Sequence, residues 1–285
     1  MAILTIARLT LLEAGRRRLL LTAAILTLAM IVFTTWGFSR LNTLNCGRGT
    51  PCSPTEVKLV AAELLIMVAY MFNVILALGS VFVAGPSIAG EIDSGIALAL
   101  LPRPIRRGDV VLGKWLGLVV LIAAYAAITG ALEFVGVGLV VGYAPPNPIV
   151  ALLFLVSQGV VLLSFALLCS TRLAPMTTGI VALVLFGLAW MGGIAEAIGL
   201  AFQNLTITNV GTVMGLLMPT DGLWRGVIFN MQPSAVTALA ATSREASANP
   251  FSVTAPPTPA YLVWAVAWVV VVMGLTVWSF AKRDL

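Results

Sequence analysis

The chain has 285 residues, 60% of them apolar and only 9% charged, with a mean hydropathy of +1.06 and a formal net charge of +5. A soluble domain carries about 25% charged residues, so this composition cannot cover a water-facing surface and predicts an all-α membrane protein. The absence of histidine and the total of three cysteines exclude His-based zinc sites, Ser-His-Asp triads and four-cysteine metal sites, and no metal site is expected; basic residues collect on the cytoplasmic face of membrane proteins, so the net charge calls for no nucleic-acid partner.

Residues 1–18, "MAILTIARLTLLEAGRRR", place Ile3, Leu4, Ala7, Leu11 and Ala14 at helical spacing, with Arg8, Glu13 and three arginines as polar partners. That pattern predicts an interfacial helix on the inner membrane surface; the alternative is an unstructured basic leader. A spanning helix needs roughly 20 apolar residues, and the first such stretch is 19–38. Its length, and the spans after it, argue against a cleaved signal peptide. The outer loop that follows contains "NCGRGTPC" (45–52). Gly47, Gly49 and Pro51 suit a tight closed loop, and outside the cytoplasm Cys46 and Cys52 can form a disulfide, the alternative being two free thiols.

The second span is 59–84, with Glu63 near its outer end. The inner loop "GPSIAGEIDSGIALALLPRPIRRGDVVLGKWLG" (85–117) comes next. Pro86 can occupy a first helical turn, which predicts a new short helix running to about Leu101. Proline disfavours helical geometry in the residue before it, so Leu101-Pro102 and Arg103-Pro104 predict an elbow. The chain then restarts near Arg107–Asp109, with the Asp109 carboxylate at the positive end of the new helix. "GDVVLGKW" (108–115) has the spacing of a P-loop, but Trp115 stands where Ser or Thr should hold Mg²⁺. The stretch is read as a helix entering the third span, so this chain itself holds no nucleotide and no cofactor.

The third span, 115–141, carries Glu133 on its outer half. A charge at the bilayer centre costs on the order of 3 kcal/mol, so Glu133 either lines a transport path or bonds a neighbouring helix. Prolines bound the fourth span, 149–170, with Cys169 at its inner end as a small packing residue; the fifth, 175–199, carries Glu196 near its outer end. Residues 200–259 include the apolar stretch 207–218, too short to span, then "PTDGLWRGVIFNM" and a proline-rich loop; two or three short re-entrant or external helices are expected there. The sixth span is 260–281, and the tryptophans at 36, 190, 264, 268 and 278 are read as packing or interface anchors.

Six spans put both termini on one side. With the N-terminus inside, inner segments hold eleven basic residues (Arg8, Arg16, Arg17, Arg18, Arg103, Arg106, Arg107, Lys114, Arg172, Lys282, Arg283) and outer ones five (Arg40, Arg48, Lys58, Arg225, Arg244). The positive-inside rule therefore makes both termini cytoplasmic in a multi-pass protein of the plasma (inner) membrane.

Glu91, Gly95, "LALL" at 98–101, "PIRR" at 104–107 and Gly113-Lys114 resemble the inner loop of ABC-2 type ABC transporter permeases, with Ile96 where threonine is usual. The "MPTDGLWR" segment (218–225) is similar to the subgroup that includes the permease of nitrous oxide reductase maturation. The resemblance implies one transmembrane domain over 1–285, acting as a homodimer with two copies of a separate ATPase subunit that binds ATP and Mg²⁺, and it leaves room for an extracytoplasmic accessory protein. It makes 85–114 a coupling loop, with Glu91, Gly95, Leu101, Pro102, Arg103, Pro104, Arg106, Arg107, Asp109 and Lys114 as the coupling residues. The implied function is ATP-driven export or flipping of a substrate; the competing reading is an ion-gradient-driven secondary transporter.

Overall fold

The computed structural model describes residues 2–16, 18–43, 52–93, 106–242 and 251–283. Six helices are long and apolar enough to cross a membrane, and no strand occurs among the described residues. In chain order the helices are α1 (Ala2–Arg16), α2 (Arg18–Ser39), α3 (Pro54–Asp93), α4 (Arg107–Val141), α5 (Pro148–Ser170), α6 (Pro175–Ala201), α7 (Leu205–Leu217), α8 (Thr220–Met231), α9 (Ser234–Thr242) and α10 (Pro259–Ala281), with a 3-10 turn at Arg40–Thr43. The spanning helices are α2, α3, α4, α5, α6 and α10.

Lipid tails are as apolar as leucine, so spanning helices associate through close packing of small residues and hydrogen bonds between helices. Both devices are present. α5 lies at the centre, with Leu162, Leu163, Ala166 and Leu167 fully buried and α3, α4, α6, α8 and α10 packed around it. Trp115 donates to Ser164 Oγ at 2.9 Å, joining α4 to α5. Thr27 and Tyr125 share a 2.6 Å hydrogen bond that joins α2 to α4, and Thr171 and Ser279 share one of 2.8 Å between the end of α5 and α10. Ser80 and Thr276, both buried, donate instead to their own i−4 carbonyls, of Leu76 at 2.7 Å and Val272 at 2.7 Å.

α1 docks across the start of α4, where Gly113 and Gly117 leave no side chain in its way. A Cβ on Gly117 would lie 2.7 Å from the Ala7 carbonyl oxygen, and one on Gly113 would meet Ile6 and Ile3. The buried stripe of α1 contains Ala7 and Ala14, with Ile3, Ile6, Thr10 and Leu11 half-buried. Leu4, expected on that stripe, points out, 68% exposed: the stripe is set by where Gly113 and Gly117 let the backbone in, one residue round the helix from the apolar spacing alone.

α3 differs from the sequence expectation in a larger way. Pro86 does not begin a new helix; it lies inside α3, which continues to Asp93. Proline removes one N–H and crowds the preceding turn, but helix packing holds the segment: Ile88 and Ala89 are 3% exposed, and Gly85 lets the Pro175 carbonyl of α6 approach to within 3.1 Å of where a Cβ would stand. Residues 85–93 therefore continue the helix of the second span and do not begin a separate one. The other end of α3 is set by a capping box, in which Glu56 Oε2 accepts from the Ser53 N–H at 2.8 Å and Ser53 Oγ accepts from the Glu56 N–H at 3.3 Å.

Both termini lie at the end of the bundle where α4 begins: Ile3 packs on Gly113, and Arg107 bonds the Arg283 carbonyl at 2.7 Å. At the far end, α6 turns at Gln203, whose φ of 54° is left-handed, and α7 runs back along it. Asn204 caps α7 by accepting from Thr206 and Ile207 N–H at 3.1 and 3.2 Å. Gly192, Gly199 and Gly211 form the seam, where added Cβ atoms would run into Met214, Thr208 and Glu196. The carbonyls that α7 leaves open at its end accept from Trp264 and Trp268 Nε1 of α10 at 3.2 and 3.0 Å. α8 follows, and Asn147, before α5, donates its N–H to the Asn230 carbonyl at 3.1 Å. Within the region 200–259, α7 thus lies beside α6 and α10, and α8 packs on α5. Tyr143, in the loop after α4, donates to the Met231 carbonyl, and burial pushes its phenol up to about 12.

Candidate functional site

Two regions carry chemistry, one at each end. At the end with the termini, the coupling residues expected from the sequence divide into three groups. Gly95, Leu101, Pro102, Arg103 and Pro104 lie outside the described residues, and Glu91 lies in the last turn of α3. Arg106 is exposed just before α4. Asp109 stands in the first turn of α4, where a carboxylate complements the helix dipole.

The third group faces inward. Lys114 is 6% exposed and donates to the Ser87 carbonyl, which joins α4 to α3 across the loop that connects them. A lysine buried in this way positions the two helices and does not project toward a partner. Arg107 reaches the end of α10 and donates to the carbonyls of Ala281 at 3.1 Å and Arg283 at 2.7 Å. Those carbonyls are left open where α10 ends, so a cation there is favoured twice, by hydrogen bonds and by the dipole. Arg172 Nε donates to Ser279 Oγ at 3.1 Å, and Arg283 donates to the Thr171 carbonyl. The start of α4, the end of α5 and the end of α10 are therefore one tied unit. "GDVVLGKW" lies wholly inside α4; its N–H groups belong to the helical ladder, and Gly113 admits α1 instead of a phosphate.

At the opposite end, Arg225 of α8 is the centre of an ion cluster. Its Nε bonds Asp221 Oδ2 at 2.9 Å, and its NH2 bonds Glu196 Oε2 of α6 at 2.6 Å and the Gly193 carbonyl at 3.1 Å. Thr212 of α7 donates to Glu196 Oε1 at 2.8 Å, so three helices meet on these charges. A side chain at Gly193 would occupy the place of the Asp221 carboxylate. Burial raises Asp221 to about 6; Arg225 opposes the rise and Glu196 adds to it. Glu196 was expected near this surface. Its partners were not, although the i,i+4 spacing of Asp221 and Arg225 was visible as a helical ion pair.

The cluster borders a cavity of about 660 Å³ lined by Trp190, Trp224, Asp221, Arg225 and Val253, and a second of about 340 Å³ that shares Asp221 and Arg225 and adds Glu196 and Tyr261. The wall at Val253 is held by Gln232, 2% exposed, whose Oε1 accepts the Val253 N–H at 3.1 Å and whose Nε2 donates to Thr237 at 2.8 Å.

The remaining acidic residues stand apart. Glu63 is exposed on α3. Glu133 is 2% exposed inside the chain's own bundle, where Thr34 donates to its Oε2 at 3.1 Å. Its Oε1 has no hydrogen-bond partner and borders a void of about 20 Å³, room enough for one water. Cys46 lies outside the described residues, and Cys169 is a free thiol. Of the tryptophans, Trp190 stacks on Tyr70 at 5.5 Å, and Lys282 stands 4.4 Å over the Trp278 ring.

No curated protein matches the chain, and nothing supports the narrower likeness of 218–225 to the nitrous oxide reductase maturation subgroup. The model of the ABC-2 family transporter protein matches residues 14–285, nearly the whole chain and all six spans, and this chain belongs to that family, as a membrane permease of an ABC transporter.

Proposed function

We propose that two copies of this chain form the transmembrane pathway of an ATP-driven exporter, and that each takes its energy from a separate ATPase subunit docked on the segment between α3 and α4. The family implies an ABC ATPase partner; two copies of each subunit, export as the direction, ATP and Mg²⁺ on the partner, and cytoplasmic termini are the proposal's own. One observation carries the coupling role. The helices at both ends of this segment are joined by Lys114 and Ser87, and Arg107 passes the tie to α10. A push on the segment would therefore move α3, α4 and α10 together and would not dissipate in a loose loop. Arg106, exposed at the elbow, would set docking register more than affinity, and Glu91 would do so or brace the segment from within.

Reconstitution with the ATPase subunit tests this. Glu91→Ala and Arg106→Ala should leave assembly intact while transport per ATP falls. Wild-type transport by both variants would remove the coupling role, and transport that persists without ATP but stops when ion gradients collapse would favour a secondary transporter. We also propose the Cys46–Cys52 bridge, supported by Cys52, which is disulfide-bonded, and by the free thiol of Cys169. Alkylation of both residues before reduction would exclude it.

A further inference from the structure

The cavities at the end far from the termini have a chemistry that coupling does not use. A volume of about 660 Å³ lies within the range of small-molecule sites. Its walls are assembled from three parts of the chain: α6, α8 and the 252–254 segment pinned by Gln232. Two of the lining groups are the indoles of Trp190 and Trp224. Both are held from behind by Tyr70, whose ring lies 5.5 Å from Trp190 and 5.4 Å from Trp224, with Phe251 5.7 Å from Tyr70. Trp190, half-buried, presents a preorganised π surface to the cavity, and Trp224, 2% exposed, backs the wall beside it.

The charge balance has a definite sign. Two carboxylates, Asp221 and Glu196, face one cation, Arg225, and no lysine or second arginine lines either cavity among the described residues. Arg225 is already engaged through Nε and NH2, so it cannot offer an anion its paired fork. Arg244 and Glu245, adjacent in the sequence, lie outside the described residues and cancel in formal charge. The electron-rich indole face of Trp190 with one excess carboxylate attracts a cation and repels an anion.

We propose that this cavity binds a small organic cation of the substituted-ammonium class, seated against the Trp190 side chain with Asp221, backed by Glu196 of the adjoining cavity, as its counter-charge. The site does not depend on how the permease is energised, so it is tested on the full-length chain alone in lipid nanodiscs. Equilibrium dialysis would use benzyltrimethylammonium, benzyl alcohol and benzenesulfonate, which are similar in shape and differ in charge. Benzyltrimethylammonium should bind saturably, at least about tenfold more tightly than the other two, the scale of one desolvated cation–π contact. Trp190→Leu should weaken it by about tenfold. Ala197→Lys places a cation on the cavity wall and should abolish binding while helicity and elution volume stay unchanged. Equal binding of the three probes, a preference for the sulfonate, or undiminished cation binding by Ala197→Lys would overturn the assignment, and the probe series on the wild-type chain decides even if the Trp190 variant fails to fold.

Discussion

Arg225 shows how one side chain can decide the packing of three helices. Removing it leaves Asp221 and Glu196 facing each other without a cation. Breaking a fully buried pair costs 3–5 kcal/mol as a rule, but the Arg225 side chain is 30% exposed, so a smaller loss of about 2 kcal/mol is expected for Arg225→Ala. Thermal unfolding in detergent should show Glu196→Gln losing less, since it removes a charge and leaves the Thr212 hydrogen bond an acceptor. Asp221 adds a pH dependence of stated sign. Its carboxyl is raised from 3.8 to about 6, so the fold favours the protonated form and stability falls as pH rises through that window. The stability of the wild type relative to Asp221→Asn should therefore be greater at pH 4 than at pH 7; a constant difference would contradict the assignment. Gly117 makes a steric argument of the same local kind. A Cβ there would press on the Ala7 backbone, which cannot rotate away as a side chain can, so Gly117→Leu should release α1 at a cost of about 1–3 kcal/mol. Proteolysis of the first sixteen residues at a rate equal to wild type would show that α1 tolerates the change.

Among the elements, α3 separates local from tertiary control. Its start is local: the Ser53–Glu56 capping box satisfies first-turn N–H groups, and Ser53→Ala should cost about 0.5–2 kcal/mol. Hydrogen exchange over residues 54–58 should rise in that variant, while exchange near Glu133 stays as in the wild type. Its end is not local. A proline reads as a helix boundary in sequence, yet α3 passes through Pro86 because Ile88 and Ala89 are buried against neighbours. α7 gives the complementary case: its thirteen residues are too few to span, and the helix survives because Asn204 caps one end and the two indole N–H groups of α10 bond the open carbonyls at the other.

For the whole molecule, the parity of the spans has a direct consequence: both termini lie at the end where α4 starts. Epitope tags at the two ends should be digested together in one vesicle orientation and protected together in the other, and the basic-residue distribution makes the protected pair that of right-side-out vesicles. Protection of only one tag would show that a helix has been misassigned as a span. The apolar side chains left exposed on α2 and α10, among them Phe33 at 69% and Val266 at 66%, are placed where lipid or a second copy would cover them.

The sequence by itself determined that the chain is a membrane protein, that it has six spans, and that a helix starts near Arg107 and runs on through the third span. These follow from composition and from periodicities confined to one helix, and a 20-residue apolar run has few alternatives in a bilayer. The failed P-loop was legible for the same reason, since helix periodicity continues through 108–115. Tertiary structure alone decided that α3 outlasts Pro86, that Lys114 turns inward to Ser87, that Leu4 faces out, and that Glu196, Asp221 and Arg225 form one cluster beside a cavity. Each of these depends on which helix faces are brought together, and that choice rests on glycine seams and single hydrogen bonds between residues distant in the chain, which no local pattern records.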